Sequence, residues 1–144
     1  PEKLGNHTTQ KLATKRSVSA YAAGKKRRAL KYARVENRGT SEYIRAALAG
    51  GLPVIIGMSV YASFESQGVT QSGVVPMPAA SEEMLGGHSM ALVGYKADAA
   101  GGIEFITRNS WGKSWGDGGY CYLPEAYLID ANLASDFWVV SSVQ

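Results

Sequence analysis

The chain has 144 residues, 45% of them hydrophobic, with 15 Lys/Arg against 12 Asp/Glu for a formal charge of +3. That length suits one domain with a buried core, and no apolar run approaches the ~20 residues a membrane span needs. One cysteine, Cys121, excludes an internal disulfide and a cysteine-rich metal site, and two histidines, His7 and His88, are too few and too far apart for a zinc site.

The charge is uneven along the chain. Residues 1–35 hold ten basic residues against Glu2 alone, whereas residues 36–144 hold five against eleven acids. Residues 1–24 are polar and show no sustained periodicity. With the run Lys25-Lys26-Arg27-Arg28 they read as a basic, irregular connecting segment over 1–27, ahead of a domain at 28–144. The run reads as a solvated face. Nucleic-acid binding rests on these four residues alone, without interleaved aromatics or a known nucleic-acid module. The start shows no secretory signal pattern and opens on Pro1, which reads as a processed or truncated product. The lack of disulfides points to a reducing, cytoplasmic or bacterial setting.

Ala29 to Val35 reads as a short strand. A helix follows, capped by Thr40 or Ser41, with Glu42 in its first turn and Ile44, Ala47 and Leu48 on one face. Gly50-Gly51 ends it. Pro53 to Val60 has the continuous apolar character of a buried strand, and Tyr61 to Glu65 that of a helical turn. Residues 66–87 read as loop, with a short strand at Val74-Val75 and with Glu82 and Glu83 as solvated charges. His88 to Tyr95 and Ile103 to Arg108 are strands joined by an Ala/Gly-rich turn at 98–102, an antiparallel hairpin. Tyr120 to Leu123 and Phe137 to Val143 add strands, and Pro124 to Leu128 a helical turn with proline in its first position. One main helix followed by antiparallel strands predicts an α+β domain around a curled, barrel-like sheet.

The hairpin carries the chemistry. His88 begins one strand and Asn109 ends the next, so a small offset or bulge brings them side by side. Asn109-Ser110-Trp111-Gly112-Lys113-Ser114-Trp115-Gly116 sets an amide beside two indoles. A histidine can move protons, an amide can orient it, and an indole can keep water from the bond between them. His7 sits in a polar stretch and reads as solvated. No suitable nucleophile is visible, and Cys121 reads as a buried core thiol.

Three segments resemble the second half of a papain-like cysteine peptidase. They are Leu52-Pro53-Val54-Ile55-Ile56, Gly87-His88-Ser89-Met90-Ala91-Leu92-Val93-Gly94-Tyr95, and Arg108-Asn109-Ser110-Trp111-Gly112 with Trp115-Gly116 and Gly119-Tyr120. Order and spacing match that family's C-terminal lobe across roughly residues 28–143. The resemblance implies that His88 is the general base and acid paired with a cysteine thiolate, and that Asn109 orients it. It implies that Trp111 shields their bond, that Trp115 helps wall the leaving-group side, and that Gly87 offers its carbonyl to the cleft. Gly57, Gly86 and Ser89 would line the main specificity pocket. All three are small, which implies a roomy pocket for a bulky apolar side chain.

The family's Cys-Gly-Ser-Cys-Trp type segment, and the glutamine ahead of it, have no counterpart here. The resemblance therefore implies half of a thiol peptidase, inactive alone. Its partners would be a cysteine-bearing N-terminal lobe and a peptide or protein substrate, with no cofactor, metal or membrane. The alternative is a non-catalytic pseudopeptidase or binding module, or a self-associated fragment, since half of a two-lobed protein leaves apolar surface uncovered.

Overall fold

A computed structural model describes residues 15, 17–25, 29–37 and 39–143. His7, the residues before 15 and the basic residues 26–28 lie outside that set. The elements are α1 (Val18–Lys25), β1 (Ala29–Arg34), α2 (Glu42–Ala49), β2 (Val54–Tyr61), a 3-10 turn (Ala62–Glu65), α3 (Gln67–Ser72), β3 (Met84–Ala97), β4 (Ile103–Arg108), β5 (Tyr120–Pro124), α4 (Glu125–Ile129) and β6 (Ala134–Val143). The described strands form one six-stranded antiparallel sheet in the order β1-β6-β2-β3-β4-β5. The α+β class read from the sequence is the class observed, and among the described residues no helix is long and apolar enough to cross a membrane.

The core lies on one face of the sheet. Along β2, Val54, Ile56, Met58 and Val60 are buried, whereas Ile55 between them is 42% exposed. A run of apolar residues had suggested burial on both faces; the sheet is covered on one. Leu92, Phe105, Leu123 and Leu128 join the same core with no exposed surface, each burial favouring the fold by about 1.5–3 kcal/mol. Helix α2 caps it through Ile44, fully buried, with Ala47 and Leu48 alongside. Thr40 Oγ1 accepts from the Glu42 N–H at 3.2 Å. Ser41 makes no such bond: its hydroxyl donates to the Glu125 carboxylate and accepts from Arg45 Nε at 3.0 Å, which ties α2 to α4.

Five expectations change. Residues 18–25 are helical rather than irregular, and no residue of α1 is buried, so there was no apolar stripe to read. Within the expected 66–87 loop, α3 is capped by Ser66 Oγ, which accepts from Val69 N–H at 3.3 Å, and closed by Gly73 at φ 74. Val74 contributes only an isolated bridge to Tyr122. Strand β3 starts at Met84, four residues before His88, because Gly86 and Gly87 pair with Val60 and Ser59 without any alternation of side chains to announce a strand. Pro124 precedes α4 in extended conformation instead of occupying its first turn.

Candidate active site

The β3–β4 hairpin positions the site. Ala91 faces Arg108 and Leu92 faces Thr107, then a one-residue shift at Val93 sets Gly94 against Ile106. That bulge absorbs part of the offset between the hairpin arms. Continuing the register one residue past Arg108 places Asn109 opposite Met90, and His88 lies two residues further along the same strand face. They are diagonal neighbours, within reach of longer side chains. His88 therefore lies mid-strand, held by β2 as well, where it pairs with Met58.

His88 Nε2 lies 2.9 Å from Asn109 Oδ1, and the same oxygen accepts the Ser110 N–H at 2.7 Å. Convergence of the Ser110 donor on this atom identifies it as the amide oxygen. An amide oxygen only accepts, so Nε2 carries the hydrogen and Nδ1 is left facing away from the bond. Asn109 is 6% exposed, and its Nδ2 is buried without a hydrogen-bond partner among the described residues. A buried donor left unpaired costs about 1–3 kcal/mol, so the amide is held for its oxygen at some expense to the fold.

Trp111 packs against the imidazole of the pair. Its ring centre lies 5.2 Å from the His88 imidazole at 31°. Behind it, Phe64 meets Trp111 edge-on at 5.6 Å and 76°, and Trp115 does so at 5.2 Å and 81°. Phe64 and Trp115 also touch, at 5.3 Å. Trp115, 7% exposed, is the support under Trp111 and not itself a surface of the site. Phe64 is a site-supporting residue that sequence reasoning missed, since one aromatic in a four-residue 3-10 turn carries no periodic signal. The loop bearing both tryptophans folds back tightly. A side chain at Gly116 would place its Cβ 2.3 Å from the Tyr120 carbonyl oxygen, and φ there is 58.

Glu82 had read as a solvated charge; it is a bracket. Its carboxylate accepts from Ser63 N–H at 2.5 Å and Ala79 N–H at 3.1 Å. The bonds from Ser63 hold the carboxyl below the usual range. The bracket secures the turn that carries Phe64.

The three small residues expected in one pocket separate. Gly57 lines a concavity of about 250 Å³ with Ser59, Gly87, His88 and the 131–135 segment. Ser89 sits opposite Gly57 on β3 but lines a different, larger concavity of about 730 Å³ with Ile55, Ala91, Arg108 and Tyr120. Gly86, paired with Val60, lines neither.

With this geometry in place, the sequence matches the papain family cysteine protease domain over residues 5–137. The chain belongs to the papain family of cysteine proteases. A peptidase C1-like protein of Acanthamoeba polyphaga mimivirus, itself uncharacterized, is 40% identical over 139 residues, covering 92% of this chain and 44% of that protein. Cathepsin L of Sarcophaga peregrina is 35% identical over 82 residues, 57% of this chain and 23% of that protein. Among solved structures, xylellain, a cysteine protease from Xylella fastidiosa, superposes with a TM-score of 0.79 at 32% identity, over 91% of this chain and 47% of xylellain. The chain thus spans about half the length of these fuller matches.

A thiol protease needs a thiolate, and Cys121 is poorly placed to supply one. It lies on β5 opposite Thr107, is 0% exposed, and burial pushes its thiol up to about 12. It packs among apolar residues as a small core side chain.

Proposed function

We propose that this chain is the histidine- and asparagine-bearing half of a thiol-dependent peptidase, completed by a cysteine-bearing N-terminal lobe from the same precursor or a second chain. The observation that carries this reading is the 2.9 Å bond from His88 Nε2 to Asn109 Oδ1 beneath Trp111. It leaves Nδ1 as the nitrogen that meets the partner thiol.

In the assembled enzyme, Nδ1 takes the thiol proton, and the thiolate adds to the peptide carbonyl. Asn109 keeps the resulting imidazolium oriented, and Nδ1 then gives its proton to the leaving amine. Water, deprotonated by the same nitrogen, hydrolyses the thioester and restores the thiol. Trp111 keeps bulk water from the His88–Asn109 bond, where a low local dielectric strengthens it. With Cys121 buried and protonated, the chain alone lacks thiol-dependent hydrolysis.

The test is to combine the chain with the cysteine-bearing lobe and follow a fluorogenic peptide. The expected result is hydrolysis blocked by thiol alkylation and lost on His88→Ala. Hydrolysis that survives His88→Ala contradicts the role given to His88, and hydrolysis by the chain alone that disappears on Cys121→Ser contradicts the reading of Cys121.

A further inference from the structure

We propose that Glu82 is a positioning residue for the His88–Asn109 pair, acting through Phe64 and Trp111. This rests on the peptidase reading above and adds a residue that stands outside the reacting groups. Among the described residues, the 3-10 turn Ala62–Glu65 gets no side-chain cap from Tyr61, the residue before it. Its leading N–H groups are met from further along the chain. Ala62 N–H donates to the Glu83 carbonyl at 3.2 Å, and Ser63 N–H to Glu82 Oε1 at 2.5 Å. Donors at the start of a helical turn have no partner within it and need one from elsewhere.

Glu82 is itself fixed. Its second oxygen, Oε2, accepts the Ala79 N–H at 3.1 Å, and its own N–H donates to the Ala79 carbonyl at 2.9 Å. Each carboxylate oxygen takes one N–H, which an ionised carboxyl can do because both of its oxygens accept. A glutamine has one accepting oxygen and would turn an NH₂ towards the other N–H. The clamp joins two parts of the site. Two residues after Glu82, Met84 opens β3 and pairs with Tyr61, and the strand runs on to His88. One residue after Ser63, Phe64 is buried at 1% exposure and meets Trp111 at 5.6 Å and Trp115 at 5.3 Å. Trp111 in turn lies 5.2 Å from the His88 imidazole. The path from carboxylate to imidazole is therefore a loop, along the backbone of β3 one way and across Phe64 and Trp111 the other. Freeing Ser63 lets Phe64, and with it Trp111, shift against the strand that carries His88. The tryptophan loop keeps a second tie, Gly116 N–H to the Thr70 carbonyl at 2.7 Å, so loss of the clamp loosens this packing without dismantling it.

The experiment has two arms. In the isolated chain, the ¹⁵N shifts of the His88 imidazole at alkaline pH report the share of the Nε2–H tautomer, which Glu82→Gln should lower measurably. In the enzyme completed with its cysteine-bearing lobe, Glu82→Gln should lower kcat on a fluorogenic peptide by about three- to tenfold, within the range that packed networks transmit. KM should stay unchanged. Glu82→Asp keeps the charge but is one methylene shorter and cannot span both N–H groups, so it should match Glu82→Gln. In a Phe64→Leu background Glu82→Gln should cost no further kcat, as both residues act along one path. An unchanged tautomer share or an unchanged kcat in Glu82→Gln overturns the proposal. Full kcat in Glu82→Asp does so too, as does an additive loss with Phe64→Leu. If the completed enzyme with Glu82 in place cleaves nothing, the peptidase reading fails, and the tautomer share alone decides whether Glu82 positions His88.

Discussion

At the far end of the β3–β4 hairpin, Asp98 Oδ1 accepts from the Ala100 and Gly102 N–H groups at 2.8 and 2.7 Å, and Asp98 N–H donates to the Gly102 carbonyl at 2.9 Å. The polar groups of that turn are satisfied within five residues. At the near end, Asn109 Oδ1 is doubly used while, among the described residues, Nδ2 is buried and unpaired and the imidazole keeps one nitrogen uncommitted. One end closes the chain; the other directs its bonds at a single group and accepts an unpaired donor to do so. Buried polar groups are usually paired, so the imbalance between two ends of one hairpin separates the end to which the proposed chemistry is given from the end that only closes a turn.

Substitutions should divide along that line. The largest effect expected is on His88: in the completed enzyme, His88→Ala should lower kcat by on the order of 10³-fold or more with little change in melting temperature, as the side chain is only half-buried. Asn109→Ala should cost roughly 10–100-fold in kcat, the scale for losing a histidine's orienting partner. Since Asn109 acts through His88, the double variant should be no slower than His88→Ala alone; an additive loss would mean that Asn109 acts independently.

Phe64→Ala tests the support beneath Trp111. Removing a fully buried phenylalanine should destabilise the fold by about 3–5 kcal/mol by denaturant unfolding and raise acrylamide quenching of tryptophan fluorescence. At the closing turn, Asp98→Ala should cost only about 1 kcal/mol and leave kcat untouched, a change in kcat being the result that erases the contrast between the two ends.

The smallest effect concerns Glu82. Its pKa is lowered in the folded chain by the Ser63 bonds, so its stabilisation is fully present above the unfolded carboxylate value and fades as pH falls through the folded value. Melting temperature measured from pH 6 down to pH 3 should therefore drop more steeply in the native chain than in Glu82→Gln. Parallel curves would show the bracket to be energetically silent.

How much of this was legible in the sequence follows from how local each signal is. His88, Asn109 and Trp111 stand in short, distinctive strings, and the 98–102 turn fixed their hairpin, so their meeting could be anticipated; the bulge at Val93 that adjusts the register could not. The strands around Val54, Ile103 and Tyr120 were visible because one face of each is apolar. Helix α1, with no buried residue, offered no pattern. Phe64 and Glu82 act through tertiary contacts with segments far away in the chain, 47 residues on for Trp111 and 19 residues back for Ser63. Trp115 was visible as a site residue, but its place under Trp111 depends on how the 112–119 loop folds back. Gly57 and Ser89 are cross-strand partners, yet each lines a different concavity, which no spacing rule conveys.

The most direct test of the central claim, that Asn109 holds His88 ready as a base, is the ¹⁵N NMR spectrum of the His88 imidazole in the isolated chain at alkaline pH. The geometry predicts the Nε2–H tautomer, with that proton slow to exchange and the preference lost on Asn109→Ala. A predominant Nδ1–H tautomer, or an Nε2–H signal indifferent to Asn109→Ala, would contradict it.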